Sequence, residues 1–329
     1  MPAATPPIDA ELASTVDLDA LRIDLTHEFI KKQRAAAAPS SPLDDLRANG
    51  AFSIDEYTAS TARSTADVPL LVCRPAGAVG RLPVLFYLHG GGMVMGHARQ
   101  NLDYVLELAQ EVRAAVISVE YRLAPEHPHP AALEDCLTGL TWAATHAMDL
   151  AIDPERIVLL GLSGGGALAG GLSLFLRDHL DLRPVGQMLV CPMLDDRNDT
   201  PSAAQLAHLG GWNPATNAAA WNHVLGGRAG APDIPSYAAP ARAEDVSGLP
   251  PTYLEVGAVE MLRDEVVTFA DRIWRACGDA ELHVFPGGFH GFDFFVPTAR
   301  LSRDARTARL NWLRRTLAAP RRRTGGSAG

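Results

Sequence analysis

Residues 157–176 read IVLLGLSGGGALAGGLSLFL, a run of branched apolar residues that breaks into glycines and then continues with helical composition. Two incompatible motifs overlap in it. Gly164, Gly166 and Ala169 fit the G-x-G-x-x-G/A turn that cradles a dinucleotide pyrophosphate, whereas Gly161, Ser163 and Gly165 fit the G-x-S-x-G elbow that presents a nucleophilic serine. Both belong on a strand–turn–helix, so local context does not separate them.

Residues further along the chain do. A dinucleotide site needs an acidic residue about twenty positions past the glycines, at the end of the next strand. Counting from Gly166 reaches Gly186, at the start of a strand, and the nearest acids, Asp195 and Asp196, come after Pro192. The serine reading needs an acid and a histidine downstream, in that order, each just beyond a strand, and a glycine-rich loop upstream. LFYLHGGGMVMG places His89, Gly90, Gly91 and Gly92 after an apolar run; TYLEVGAVEMLRDE places Glu260 after another, and LHVFPGGFHGFD places His290 after the last. The G-x-G-x-x-A match is then incidental, with small residues letting the following helix pack on the sheet.

The wider pattern is an alternation of strands and helices. Strands are predicted over 69–73, 84–88, 115–119, 157–160, 185–191, 253–256 and 282–285, and helices over 101–112, 131–145, 164–177, 264–277 and 303–317. Several strands are apolar throughout, as parallel strands covered on both faces are. The order implies a doubly wound, mostly parallel α/β sheet with helices on both faces. Leu18, Leu21, Leu25 and Phe29 predict a helix across 17–37, followed by a Pro/Ser hinge at 39–42. About sixty residues between Cys191 and Tyr253 carry weak strand signal, two tryptophans and many prolines, with a short helix predicted from Pro214 to Leu225. A stretch of that length is usually a functional insertion. Residues 1–10 and the tail 319–329 are expected to be disordered.

The totals bound the partners. The 329 residues carry a net charge of −9, 47% hydrophobic and 20% charged residues, which fits a globular core and excludes nucleic acid as the main partner. No apolar run reaches the length of a membrane span, so stable membrane insertion is not expected. The four cysteines (Cys73, Cys136, Cys191, Cys277) are far apart, and three of them read as small core residues; a reducing, cytoplasmic setting is expected. Self-association as a homodimer is left open.

Five segments taken together resemble a known family: HGGG (89–92), YRLAPEHPHPAALED (121–135), GLSGG (161–165), RDE (263–265) and GGFHGF (287–292). In this order and spacing the chain resembles the bacterial hormone-sensitive-lipase-like carboxylesterases of the α/β-hydrolase fold, over roughly residues 45–316. The resemblance implies a serine hydrolase that cleaves carboxylic esters of short to medium acyl chains through an acyl-enzyme on Ser163, with a small-molecule acyl ester as substrate and no metal or organic cofactor. His290 would be the base and Glu260 the acid that orients it. The backbone N–H groups of Gly91, Gly92 and Gly164 would form the oxyanion hole. A helical cap would comprise the N-terminal segment 1–45 and the insertion 195–240, flanking core parts 46–194 and 241–318.

Each assignment has a plainer rival. Ser163 alone could cap the following helix, and Asp264 or the Asp195/Asp196 pair could replace Glu260, since relatives more often carry Asp there. Asp264 and Glu265 also suit the first turn of a helix, where acids favour the dipole. His89 reads as a loop-orienting residue, and His127 and His129 as residues of Pro-stiffened turns. Leu162 stands where relatives have Asp, and Gly164 where they have Ala. Met93, Val94, Leu206, Leu209, Trp212 and Trp221 are candidates to line the pocket. A pathway-specific deacetylase or amidase, a non-hydrolytic ligand-binding protein on the same scaffold, and a lyase that uses the oxyanion hole are the rival functions.

Overall fold

In LPVLFYL, over 82–88, every residue is buried, but neighbours enter different cores: Val84, Phe86 and Leu88 face one side of the sheet, Leu85 and Tyr87 the other. That two-sided burial is what period-two side-chain alternation gives to a central strand. The computed structural model describes residues 5–21, 23–37, 43–47, 50–62 and 66–319. Its strands are β1 (Phe52–Ala59), β2 (Val68–Pro75), β3 (Leu82–Leu88), β4 (Ala115–Val119), β5 (Ile152–Leu162), β6 (Gly186–Val190), β7 (Thr252–Gly257) and β8 (Ala280–Phe285). They form one sheet in the order β1-β2-β4-β3-β5-β6-β7-β8. The β1–β2 and β2–β4 pairings are antiparallel and all the others parallel.

The α-helices are α1 (Ala10–Ala13), α2 (His27–Ala36), α3 (Leu43–Leu46), α4 (Leu102–Val112), α5 (Ala131–Thr145), α6 (Gly164–His179), α7 (Pro201–Gln205), α8 (Pro214–Val224), α9 (Arg263–Arg275), α10 (Phe292–Phe295) and α11 (Arg300–Ala318). Side chains of α5, α6 and α9 enter one core, with residues of the 195–250 stretch; α4 and α11 close the other.

The expected alternation is present, with four differences. β1 escaped the sequence reading because only alternate positions at its ends are buried, and Asp55 and Glu56 occupy its exposed middle. β5 begins earlier than expected, with a register shift against β3 near Leu82 and Val84. The single helix expected over 17–37 is broken: a 3-10 turn covers Leu18–Ala20, and α2 starts at His27, where the Thr26 hydroxyl accepts the Phe29 N–H at 3.2 Å. Residues 5–10 are ordered in place. Asp9 caps α1, its own N–H donates to the Gly287 carbonyl at 3.1 Å, and Leu12 is fully buried. The 39–42 hinge and tail residues 320–329 lie outside the described residues.

The N-terminal segment is stitched to the insertion. Gly211 N–H donates to the Leu21 carbonyl at 2.5 Å, the Thr216 hydroxyl to Ile23 at 2.8 Å, and the His223 ring bonds Leu25 at 2.8 Å. Both segments thereby lie over the carboxyl ends of the parallel strands, where open α/β sheets bind ligands.

Candidate active site

The elbow between β5 and α6 is built by close backbone approach. A Cβ on Gly161 would meet the Gly165 carbonyl oxygen at 2.1 Å, and one on Gly165 would meet Leu88 O at 2.1 Å. Only glycine fits either position, so Ser163 is forced into φ 53°, ψ −115°, outside the helix that follows it. Such a backbone stores about 1–3 kcal/mol and persists because its surroundings over-determine it. The Ser163 N–H donates to Val190 O at 2.9 Å, and its carbonyl accepts from Met193 at 3.1 Å. These bonds tie the elbow to the end of β6. The side chain makes no cap bond to α6, which removes the plainer reading of Ser163.

His290, beyond β8, places Nε2 3.0 Å from Ser163 Oγ and Nδ1 2.5 Å from Glu260 Oε1. The carboxylate can only accept, so Nδ1 carries the ring proton and Nε2 offers its lone pair to the serine hydroxyl. Glu260 follows β7, and its second oxygen accepts the Gly257 N–H at 3.0 Å, fixing the carboxylate plane. Burial opposes charge on the imidazole, while the Cys191 sulfur and the Glu260 carboxylate beside it favour charge. The balance holds the His290 pKa well above its ordinary value.

The rival acids are engaged elsewhere. Asp195 pairs with Arg197, Asp196 with Arg242 at 2.7 Å, and Asp264 accepts the Ser202 N–H at 2.7 Å and pairs with Arg263. Asp264 and Glu265 do lie in the first turn of α9, but each has a more specific task than the helix dipole. Glu265 Oε1 accepts the Leu194 N–H at 2.7 Å, and burial raises its pKa well above the usual carboxylate range.

The glycine loop faces the elbow. Gly91 and Gly92 have φ of 108° and 63°, and a Cβ on Gly164 would stand 2.8 Å from both Gly92 N and Met93 N. That approach explains glycine at 164: an alanine methyl would press on the loop backbone. Among the described residues, no acceptor takes the N–H of Gly91, Gly92 or Gly164, so all three donors remain free. His89 holds the loop from beneath. It is fully buried, stacks on Tyr121 at 4.1 Å, and bonds Gly90 O at 2.8 Å through Nδ1. Burial lowers its pKa to about 3, so the ring is neutral.

A cavity of about 320 Å3 opens beside His290 and Glu260. Its wall combines Leu18, Leu21 and Phe29 of the N-terminal segment with Leu206, Leu209 and Trp212 of the insertion. The Trp212 ring stacks on His290 at 5.8 Å and lies against Gly92, where a Cβ would meet it at 2.4 Å. Its indole N–H donates to Asn217 at 3.0 Å. Of the six candidates to line the pocket, Met93, Val94 and Trp221 are instead buried in the core, and Met95 and Gln33 take part in the wall. Leu162 is buried in the opposite core with Leu160 and Tyr87, so an apolar residue suits the position. Cys191, expected to be inert core, lies beside Glu260 and His290. Nothing in its sequence context signals this, because three separate strand ends create the contact.

Comparison with known proteins agrees with the geometry. A family model described as the alpha/beta hydrolase fold matches residues 85–294. Esterase LipI of Mycobacterium tuberculosis is 32% identical over 251 residues, covering 70% of this chain and 77% of its own length. Carboxylesterase NlhH of the same organism is 31% identical over 296 residues, covering 86% and 87%. The solved structure titled Bacterial Heroin Esterase superposes with a TM-score of 0.85 at 34% identity, covering 95% of this chain and 98% of that one. With this sheet order, elbow and downstream acid–histidine pair, the chain belongs to the hormone-sensitive-lipase-like carboxylesterases of the α/β-hydrolase fold.

Proposed function

We propose that ester hydrolysis in this chain runs through an acyl-enzyme on Ser163, with His290 as base, Glu260 as its orienting acid and the Gly91, Gly92 and Gly164 N–H groups as oxyanion hole. The observation that carries this reading is the continuous Ser163–His290–Glu260 hydrogen-bond chain of 3.0 and 2.5 Å opposite three free backbone donors. Ser163 Oγ attacks the ester carbonyl carbon while its proton passes to His290 Nε2, and the carbonyl oxygen becomes an anion facing the glycine N–H groups. The ester C–O bond then breaks, and the His290 proton leaves with the alcohol. Water repeats the cycle on the acyl-enzyme: His290 takes one proton, the carboxylic acid departs, and the serine recovers its hydrogen.

In the same reading, residues 1–45 and 195–240 form the cap and set acyl-chain length. The apolar wall and modest cavity support esters of short to medium chains. The four free cysteines support a reducing, cytoplasmic setting. Steady-state kinetics on p-nitrophenyl esters tests the reading. Acetate, butyrate and hexanoate should be turned over, palmitate should be rejected, and Ser163→Ala should abolish all turnover. Equal rates on palmitate would contradict the cap's role, and retained activity in Ser163→Ala would contradict the acyl-enzyme.

A further inference from the structure

Cys191 follows β6 directly and adopts a left-handed backbone, φ 39°, that turns the chain out of the sheet. Its N–H donates to Glu255 O of β7 at 2.9 Å, and the preceding Val190 carbonyl holds the Ser163 N–H. The residue is thus pinned between the serine elbow and the strand that leads to Glu260. Its sulfur, a ring nitrogen of His290 and a carboxylate oxygen of Glu260 all lie within 4.8 Å of one another. Among the described residues, this is the one group of three such donors. Cys191 is 6% exposed and the His290 side chain 17% exposed, so the ring marks the solvent approach.

We propose that Cys191, His290 and Glu260 form an inhibitory site for a borderline-soft divalent cation, Zn2+ foremost, whose binding reversibly switches the esterase off. One thiolate, one imidazole and one carboxylate are donors that zinc accepts together, and the two anionic groups neutralise the ion. Magnesium and calcium, which favour all-oxygen shells, do not suit this donor set. Donors in a tetrahedral zinc site stand roughly 3.3–3.5 Å apart. With the metal on Nδ1, the 2.5 Å His290–Glu260 contact opens by about 1 Å, and the longer separations, up to 4.8 Å, close by about 1.5 Å at most. Water or the Ser163 hydroxyl can fill the fourth position.

Inhibition follows from the proton count. The Cys191 thiol releases its proton to solvent on binding the metal. The neutral imidazole has one lone pair and one proton. With the metal on Nδ1 the proton moves to Nε2 and faces Ser163; with the metal on Nε2 the lone pair is gone. Either way His290 cannot accept the serine proton. The loss of activity rests on the base role proposed for His290, whereas metal binding itself does not.

The test uses the full chain and two readouts. Esterase rate is titrated with buffered free Zn2+ for the wild type, Cys191→Ser and, as a control for the exposed thiol, Cys277→Ser. The expected result is inhibition of the wild type and Cys277→Ser, reversed by EDTA, with Cys191→Ser needing more than about tenfold higher Zn2+. Near-ultraviolet titration with Co2+ should show a thiolate-to-metal charge-transfer band in the wild type that Cys191→Ser lacks. Equal zinc sensitivity in Cys191→Ser, or no thiolate band in the wild type, would overturn the proposal. A Cys191-dependent band with undiminished esterase rate would keep the metal site and overturn the base role of His290 instead. Should Cys191→Ser not fold, Cys191→Ala replaces it, and the wild-type Co2+ spectrum tests the thiolate ligand without any variant.

Discussion

Both carboxylate oxygens of Glu260 are engaged. One carboxylate oxygen meets His290 Nδ1 at 2.5 Å while the other holds the Gly257 N–H at 3.0 Å. Glu260→Gln keeps the shape but removes the charge, and it lets the ring adopt the tautomer that cannot accept from serine. A fall in kcat on the order of 10^3–10^4-fold is expected. The pH profile carries the sign. With His290 as the proposed base, catalysis needs its imidazole neutral, and His290 sits above its ordinary pKa, so the acid limb of kcat/KM should lie above the usual histidine value. Losing the carboxylate should move that limb to lower pH. An unmoved limb would show that another group orients the ring. That Ser163, Glu260 and His290 converge was legible in the sequence because each sits in a short motif just past a strand. Cys191 was not, since its neighbours come from the ends of separate strands; of the candidate wall, Leu206, Leu209 and Trp212 line the cavity, while Met93, Val94 and Trp221 prove to be core.

Between the elements that carry His290 and Glu260 runs a buried ionic tie. Arg309 of α11 reaches Asp293 of α10 at 2.6 Å and Glu255 of β7 at 2.9 Å, and it donates to Tyr104 of α4 at 2.9 Å. All three charged residues are at most 2% exposed. Arg309 thereby joins the loop after His290 to the strand before Glu260. Removing one partner from such a cluster strands the others as uncompensated charges. Arg309→Met should therefore lower unfolding free energy by about 3–5 kcal/mol, read from urea denaturation. A loss below about 1 kcal/mol would show that the pair is not buried as described. The periodicity of α11 was plain, yet a buried arginine on it was not, because its partners lie 16 and 54 residues away in sequence. β1 and the break before α2 were missed for a related reason: edge exposure and a capping threonine outweighed the apolar spacing.

At the scale of the molecule, the cavity exists only because two segments remote in sequence close over the sheet. Gly210 marks their contact: a Cβ there would come within 1.7 Å of the Leu18 carbonyl oxygen. Gly210→Ala should wedge the N-terminal segment from the insertion while leaving Ser163, His290 and Glu260 in place. KM for a short-chain ester is expected to rise several-fold with a smaller change in kcat, which steady-state kinetics would resolve. A matching fall in kcat at constant KM would place the damage in the chemistry instead. The doubly wound sheet followed from the alternation of apolar strands and helices. The pairing of Leu21, Ile23 and Leu25 with Gly211, Thr216 and His223 did not, because hydrogen bonds to backbone carbonyls leave no trace in composition.

The turn in IVLLGLSGGGALAGGLSLFL is proposed to present Ser163 as a nucleophile. Labelling the folded protein with a fluorophosphonate and mapping the adduct by peptide mass spectrometry tests it directly. One phosphonylated residue, Ser163, is expected, with labelling abolished in Ser163→Ala and strongly slowed in His290→Ala. An unlabelled Ser163 in protein that still hydrolyses esters would contradict it.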